Sequence, residues 1–307
     1  MWALDKGDGH VPNEANGPTT ALVLGGGGLT AYGWEVGVLA GLADAGVHLG
    51  DADVLAGTSA GSLLALDLAK GSTPSALYTE QINRERPMID VDFTLSMTVR
   101  YLWASLRSRD PDKTLKRLGR LALSVRDVPE TAVLEAIGPH IPVPDWPERQ
   151  VRLFAVDALT GTPTAFTAAD GVDLPHAMAA TCALPPLFPP ITIGKSRWMD
   201  GGVRSTTNAD LLTDCARVVV LAPIPKAAGA TPSAQSHIRT LTTHGTRATL
   251  LTPDRPSRRA FGRNPLNAAR IPGAAREGRR QGREYAEAVR GVWDGSDPQG
   301  KEHFPAR

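Results

Sequence analysis

The chain has 307 residues, enough for one large α/β domain or two small ones, and its 42% apolar and 21% charged content excludes wholesale disorder. Its 33 basic residues nearly cancel its 32 acidic ones, which argues against a global polyanion-binding field and so against nucleic acid as a partner. The 25 prolines argue against a coiled coil, and two cysteines, Cys182 and Cys215, are too few for a disulfide framework or a structural zinc site.

Residues 1–18 read as a flexible polar tail without the basic and apolar regions of a signal peptide. No apolar stretch approaches the roughly 18 residues of a membrane span. The expected location is therefore cytoplasmic, with peripheral membrane contact left open. Thr20 to Leu24 is a short apolar run suited to a buried parallel strand. Four glycines, Gly25 to Gly28, follow it. A helix pattern comes next, with Val36, Leu39, Ala40 and Ala43 on one face and a stop near Gly46. A second strand over about Asp53 to Ala56 runs into Gly57-Thr58-Ser59-Ala60-Gly61 and an apolar helix. This order is the opening of a parallel α/β sheet with right-handed crossovers.

Residues 72–147 read as a helical cap over the sheet, with a plain amphipathic helix packed on the core as the alternative. The segment carries apolar Phe93, Tyr101, Leu102 and Trp103, and basic Arg100, Arg107, Arg109, Lys113, Lys116, Arg117, Arg120 and Arg126. Two hairpins are expected, VRLFAVDALTG with TPTAFTA and ITIG with SRWMDGG, separated by a helix over LPHAMAATCA. Arg217 to Leu221 is a further buried strand. The main domain is expected over 19–252, followed by a basic helical extension at 253–307 packed on the domain, with an amphipathic helix at Ala268 to Trp293.

Ser59 occupies the centre of a G-x-S-x-G turn between an apolar strand and an apolar helix, the setting of a nucleophile elbow. The turn needs small neighbours, here Gly57 and Gly61. A serine nucleophile also needs donors for the developing oxyanion. The glycine run ends the preceding strand, so its amides would lie beside Ser59. A rival reading is a dinucleotide fingerprint, Gly26-x-Gly28-x-x-Ala31 with Asp51 or Asp53 further on. A P-loop is excluded because no Lys-Ser/Thr follows Gly33. For the base, His140, His176, His237 and His244 are available, but none follows a strand among small neighbours. Asp200 does, in Met199-Asp200-Gly201-Gly202, where the alternative is an ordinary Asp-Gly turn. No metal-ligand spacing is present.

Taken in order, GGGG, GTSAG, the proline-rich ATCALPPLFPP and DGG resemble the patatin-like phospholipase family, over about Thr20 to Leu221. The resemblance implies a three-layer α/β/α fold with a mainly parallel central sheet and a Ser–Asp dyad without a catalytic histidine. It implies Ser59 as nucleophile, Asp200 as base, Gly26, Gly27 and Gly28 as the oxyanion hole, and Gly201 and Gly202 as the turn after the base. Leu184, Pro185, Pro186 and Phe188 would shape the acyl pocket. One departure is the absence of the Arg or Lys that often follows the glycines, since Leu29, Thr30 and Ala31 stand there. The expected function is hydrolysis of fatty-acyl esters of lipids or phospholipids, with no cofactor and no metal. The alternatives are a soluble short-chain carboxylesterase or thioesterase, a catalytically silent lipid-binding protein, and a dinucleotide-binding oxidoreductase. Basic residues at 100–126 and 255–290 suggest transient contact with an anionic membrane surface.

Overall fold

A computed structural model describes residues 19–83 and 94–295. The expected polar tail at 1–18, residues 84–93 of the helical insertion (Phe93 included) and the end of the C-terminal extension at 296–307 lie outside the described residues.

The chain opens with β1 (Thr20–Leu24), α1 (Gly28–Asp44), β2 (Val54–Gly57) and α2 (Ala60–Ala69). Four helices follow: α3 (Pro74–Asn83), α4 (Leu95–Leu106), α5 (Pro111–Leu123) and α6 (Glu130–Ile137). The sheet resumes with β3 (Gln150–Asp157) and β4 (Pro163–Phe166), then α7 (Leu174–Cys182), β5 (Ile191–Ile193), β6 (Ser196–Asp200) and β7 (Arg217–Leu221). The chain continues through α8 (Ala234–Thr243), β8 (Arg247–Leu251), α9 (Arg255–Phe261) and α10 (Ile271–Trp293).

The sheet order is β5-β6-β3-β2-β1-β7-β8, with β4 also paired to β3. From β3 to β8 the neighbours are parallel, whereas β4, β5 and β6 enter antiparallel. The short inner strands are apolar because both faces are covered. Leu22 and Leu24 of β1 face α1, α2, α7 and α10, while Ala21 and Val23 face α8. The result is three layers, helices on both sides of a mostly parallel sheet. Both hairpins form as expected. α8 and β8 carry no clear sequence signal, because β8 is an edge strand, half-buried along most of its length, and its RATLL sequence alternates weakly.

α10 is not a surface appendage. Ile271, Ala274, Ala275, Gln281, Ala286 and Val289 are buried, and the helix crosses α1 at backbone contact distance. A Cβ on Gly37 would lie 2.1 Å from the Ala275 carbonyl, and one on Gly278 would lie 2.2 Å from that of Trp34. Its arginines are largely paired. Arg279 and Arg283 meet Asp44 at 2.8 and 2.6 Å, and Arg280 meets Glu277, Glu284 and Asp254. In the insertion, α3 packs on α1 and α10. α5 lays Leu118 and Ala122 against Val156, Met199 and Val203 at the antiparallel side of the sheet.

Register positions the site. Gly57 at the end of β2 pairs with Leu153 of β3, and Asp200 pairs with Ala155, two residues further along β3. Ser59 lies two residues beyond Gly57. The sheet therefore sets the elbow and the end of β6 at one level.

Candidate active site

Ser59 sits at the N-cap of α2 with φ 53° and ψ −121°, a conformation that a non-glycine residue adopts at a cost of about 1–3 kcal/mol. Two close approaches hold it there. A Cβ on Gly57 would lie 2.5 Å from Ser62 Cα, and one on Gly61 would lie 2.3 Å from the Leu24 carbonyl oxygen. Only glycine lets β1, β2 and α2 meet so tightly.

The Ser59 side chain lies beside both the Asp200 carboxyl and the Cys182 thiol, and all three residues line one cavity. Asp200 is 2% exposed. Burial pushes its carboxyl up to about 7, against the opposing effects of the Gly202 amide, which donates to Oδ1 at 2.7 Å, and of Ser59. The Cys182 thiol is pushed up, first by burial and then by the Asp200 charge, so it stays neutral. Tyr101 of α4 reaches the same cavity, and burial together with Asp200 raises its phenol to about 12.

The donors are narrower than the sequence implied. The Gly26 amide donates to the Thr206 carbonyl at 2.7 Å, so it has no hydrogen left for an oxyanion. The Ser59 amide is likewise committed, to Thr181 Oγ1 at 3.0 Å. Among the described residues no acceptor takes the amides of Gly27, Gly28 or Ala60, and all three residues line the cavity. The N-terminus of α2 adds its positive end to the same place.

Sequence reasoning missed the residues that clamp these parts together. Thr181 accepts from Ser59 and donates to the Phe154 carbonyl at 2.6 Å, fastening the elbow to β3 through α7. Asn208, at φ 47°, donates from Nδ2 to the carbonyls of Gly201 and Ser205 and to Thr58 Oγ1, tying the elbow to the Asp-Gly-Gly turn. Glu35 of α1 is fully buried behind the glycine loop and accepts from the Gly25 amide at 2.7 Å. Its carboxyl is held well above the usual range by burial. Thr181 and Glu35 leave only a polar residue between apolar neighbours as a signal, and Asn208, within the mostly polar run Ser205 to Asp210, leaves none.

The cavity holds about 310 Å³ and is walled by Leu29, Leu63, Ile137, Leu184, Leu187 and Phe188. Of the expected acyl-pocket residues, Leu184 and Phe188 line it, but Pro185 and Pro186 are buried away from its wall, and Leu187 takes that position. Lys226 reaches the rim from the loop after β7, although the positions after the glycines carry no charge.

The rival assignments lose their geometry. None of the histidines among the described residues lines the cavity. His237 packs against Thr207 and Asp210 and burial lowers it to about 4, while His176 pairs with Asp173 at the start of α7. Of the two candidate ribose-binding acids, Asp51 ends the short turn before β2, and Asp53 also precedes β2 and is bonded to Thr20. Neither acid stands at the carboxyl end of β2, beside the glycine loop, where a ribose-binding acid has to lie. Among the described residues no three His, Cys, Asp or Glu side chains cluster as a metal site, and no helix is long and apolar enough to cross a membrane.

The family model for Patatin-like phospholipase matches residues 22–213. No curated protein sequence matches significantly. Among solved structures, the type III effector protein ExoU is 19% identical, with 88% of this chain and 54% of that chain covered and a TM-score of 0.37. VipD from Legionella pneumophila is 11% identical, with 90% and 68% covered and a TM-score of 0.43. ExoU in its complex with SpcU, from the type III secretion system of Pseudomonas aeruginosa, is 16% identical, with 86% and 53% covered and a TM-score of 0.34. The chain spans about half the length of the ExoU chains it matches. The family match covers well over half of this chain and contains the glycine loop, the elbow, the proline-rich block and the Asp-Gly-Gly turn. The chain belongs to the patatin-like phospholipase family.

Proposed function

We propose that the chain is a serine acyl hydrolase that cleaves fatty-acyl esters of lipids, phospholipids included, through a Ser59–Asp200 dyad. One observation carries this reading: Ser59 and the buried Asp200 carboxyl stand side by side in the wall of one otherwise apolar cavity. With its carboxyl raised to about 7, Asp200 is a far better proton acceptor than an exposed aspartate, yet it is still substantially ionised near neutral pH.

Asp200 takes the Ser59 proton as Oγ bonds to the ester carbonyl carbon. The carbonyl oxygen gains the negative charge, and the amides of Gly27, Gly28 and Ala60 receive it. The tetrahedral adduct collapses, the alcohol or lysolipid leaves with the proton from Asp200, and an acyl-serine remains. Water then attacks that ester as Asp200 accepts its proton, the bond from the acyl carbon to Ser59 Oγ breaks, Oγ takes the proton back from Asp200, and the fatty acid departs. The leucine and phenylalanine walls hold the acyl chain, and the Lys226 ammonium at the rim favours a phosphate on the leaving side.

Fluorophosphonate labelling with peptide mapping tests the nucleophile, because the label should fall on Ser59 and vanish in Ser59→Ala. Asp200→Ala should lower ester turnover by about 10²–10⁴-fold with an unchanged far-UV spectrum. Near-normal turnover in that variant would remove the dyad.

A further inference from the structure

α4 has two unlike faces. Inward, Tyr101 reaches the catalytic cavity and Ala104 and Ser105 are buried. Outward, Val99, Leu102, Trp103 and Leu106 are 58, 39, 60 and 63% exposed, at the i, i+3, i+4, i+7 spacing of one helical stripe. Four of the six large apolar side chains exposed among the described residues fall on this stripe. A fifth, Ile224, lies on the rim of the cavity itself.

Beside the stripe, a groove of about 750 Å³ between α4 and α5 is lined by Arg100, Arg107, Arg117 and Arg120, with Trp103 and Leu121. Arg107 stacks on the Trp103 ring at 4.7 Å. Arg100 donates to Ser124 Oγ and Arg120 to the Lys116 carbonyl, both at 3.3 Å. No carboxylate among the described residues pairs with any of the four. Nη1 of Arg117 is buried with no hydrogen-bond partner there. Four like charges gathered without a carboxylate among the described residues repel one another, and a buried guanidinium nitrogen without an acceptor there is costly. A phosphate group relieves both, since guanidinium forks match its oxygens.

We propose that the α4–α5 hairpin docks the protein on a bilayer containing anionic phospholipid. The apolar stripe enters the interface, and the arginine groove takes the lipid phosphates. The pairing of features selects this partner. A free anion has no use for the stripe, and a neutral apolar partner has no use for the arginines. The basic surface expected at 255–290 is a weaker candidate, because Arg279, Arg280 and Arg283 already have carboxylate partners. The proposal rests on the lipid-hydrolase reading for its choice of lipid, and it deepens that reading by setting the cavity rim at Tyr101 and Ile224 next to the bilayer.

The test is sedimentation of the full chain with vesicles of phosphatidylcholine alone or mixed with phosphatidylglycerol, at low and high salt. Binding should require phosphatidylglycerol and weaken with salt. Arg107→Gln and Arg120→Gln should each lower the partition about fivefold. Trp103→Ser with Leu106→Ser should lower it at least about tenfold, and unchanged far-UV spectra should show that these exposed positions leave the fold intact. Absence of binding, equal binding to neutral vesicles, or indifference to both sets of substitutions overturns the proposal. Fluorophosphonate labelling of the same samples separates the two readings. Vesicle binding without labelling of Ser59 would sink the hydrolase and leave docking standing. Labelling with unaltered vesicle binding by the variants would do the reverse.

Discussion

Asp200 is a carboxyl group placed where water cannot solvate its charge, and two consequences follow. Turnover should rise with pH along a limb centred near 7, because the base acts only when ionised. Stability should run the other way. An unfolded aspartate releases its proton near 4, so between about 4 and 7 the folded chain binds more protons, and stability is lost as pH rises through that window. Asp200→Asn should therefore gain more stability over wild type at pH 8 than at pH 4, by up to about 4 kcal/mol, measured by urea denaturation. Glu35 is raised by the same cause but does not line the cavity, so Glu35→Gln should also stabilise at high pH while leaving the pH–rate limb near 7 in place. Thr181→Val should cut kcat by roughly 10- to 100-fold with little change in KM, because it frees the elbow without touching the acyl walls. Ser59 and Asp200 were legible in sequence because their turns need small residues at fixed short spacing. Thr181 and the loss of the Gly26 amide were not, because each depends on a hydrogen bond between distant stretches of chain.

At the scale of elements, the contact between α1 and α10 is made by what is missing from their surfaces. Gly37 and Gly41 on α1 and Gly278 and Gly282 on α10 each face the other helix's backbone, so an added methyl group forces the helices apart. Gly278→Ala should cost at least about 1–3 kcal/mol in chemical denaturation. Gly273→Ala, on the same helix with nothing within 4 Å of the added carbon, should instead stabilise by about 0.5–1 kcal/mol. The opposite signs separate helix propensity from packing. The periodicity of α10 was readable, but its partner was not, because the sequence places α1 and α10 at opposite ends of the described chain. β1, β2 and β7 announced themselves as short apolar runs, and β3 as an alternating hairpin arm. β8 did not, since an edge strand needs only half of that burial.

Over the whole molecule, a net charge of +1 conceals two populations of arginine. Those of α10 mostly meet carboxylates, and those of α4 and α5 gather with none among the described residues. Because α10 covers α1 and reaches β7 and β8, deleting residues 271–293 should yield an insoluble or unfolded chain rather than a smaller domain, as gel filtration and far-UV circular dichroism would show. The sequence by itself determined β1, α1, β2, α2 and β7, together with the glycine-flanked turn at Ser59 and the Asp-Gly-Gly turn. All of these are governed by local sterics and by the period of burial along a few residues. Only the tertiary structure decided which amides are free to bind a charge, that Leu187 rather than Pro185 walls the cavity, that Lys226 stands at its rim, and which arginines lack a carboxylate partner among the described residues. Each polar group has few hydrogen bonds to give, and where they go is settled by neighbours that the fold, not the order of residues, brings within reach.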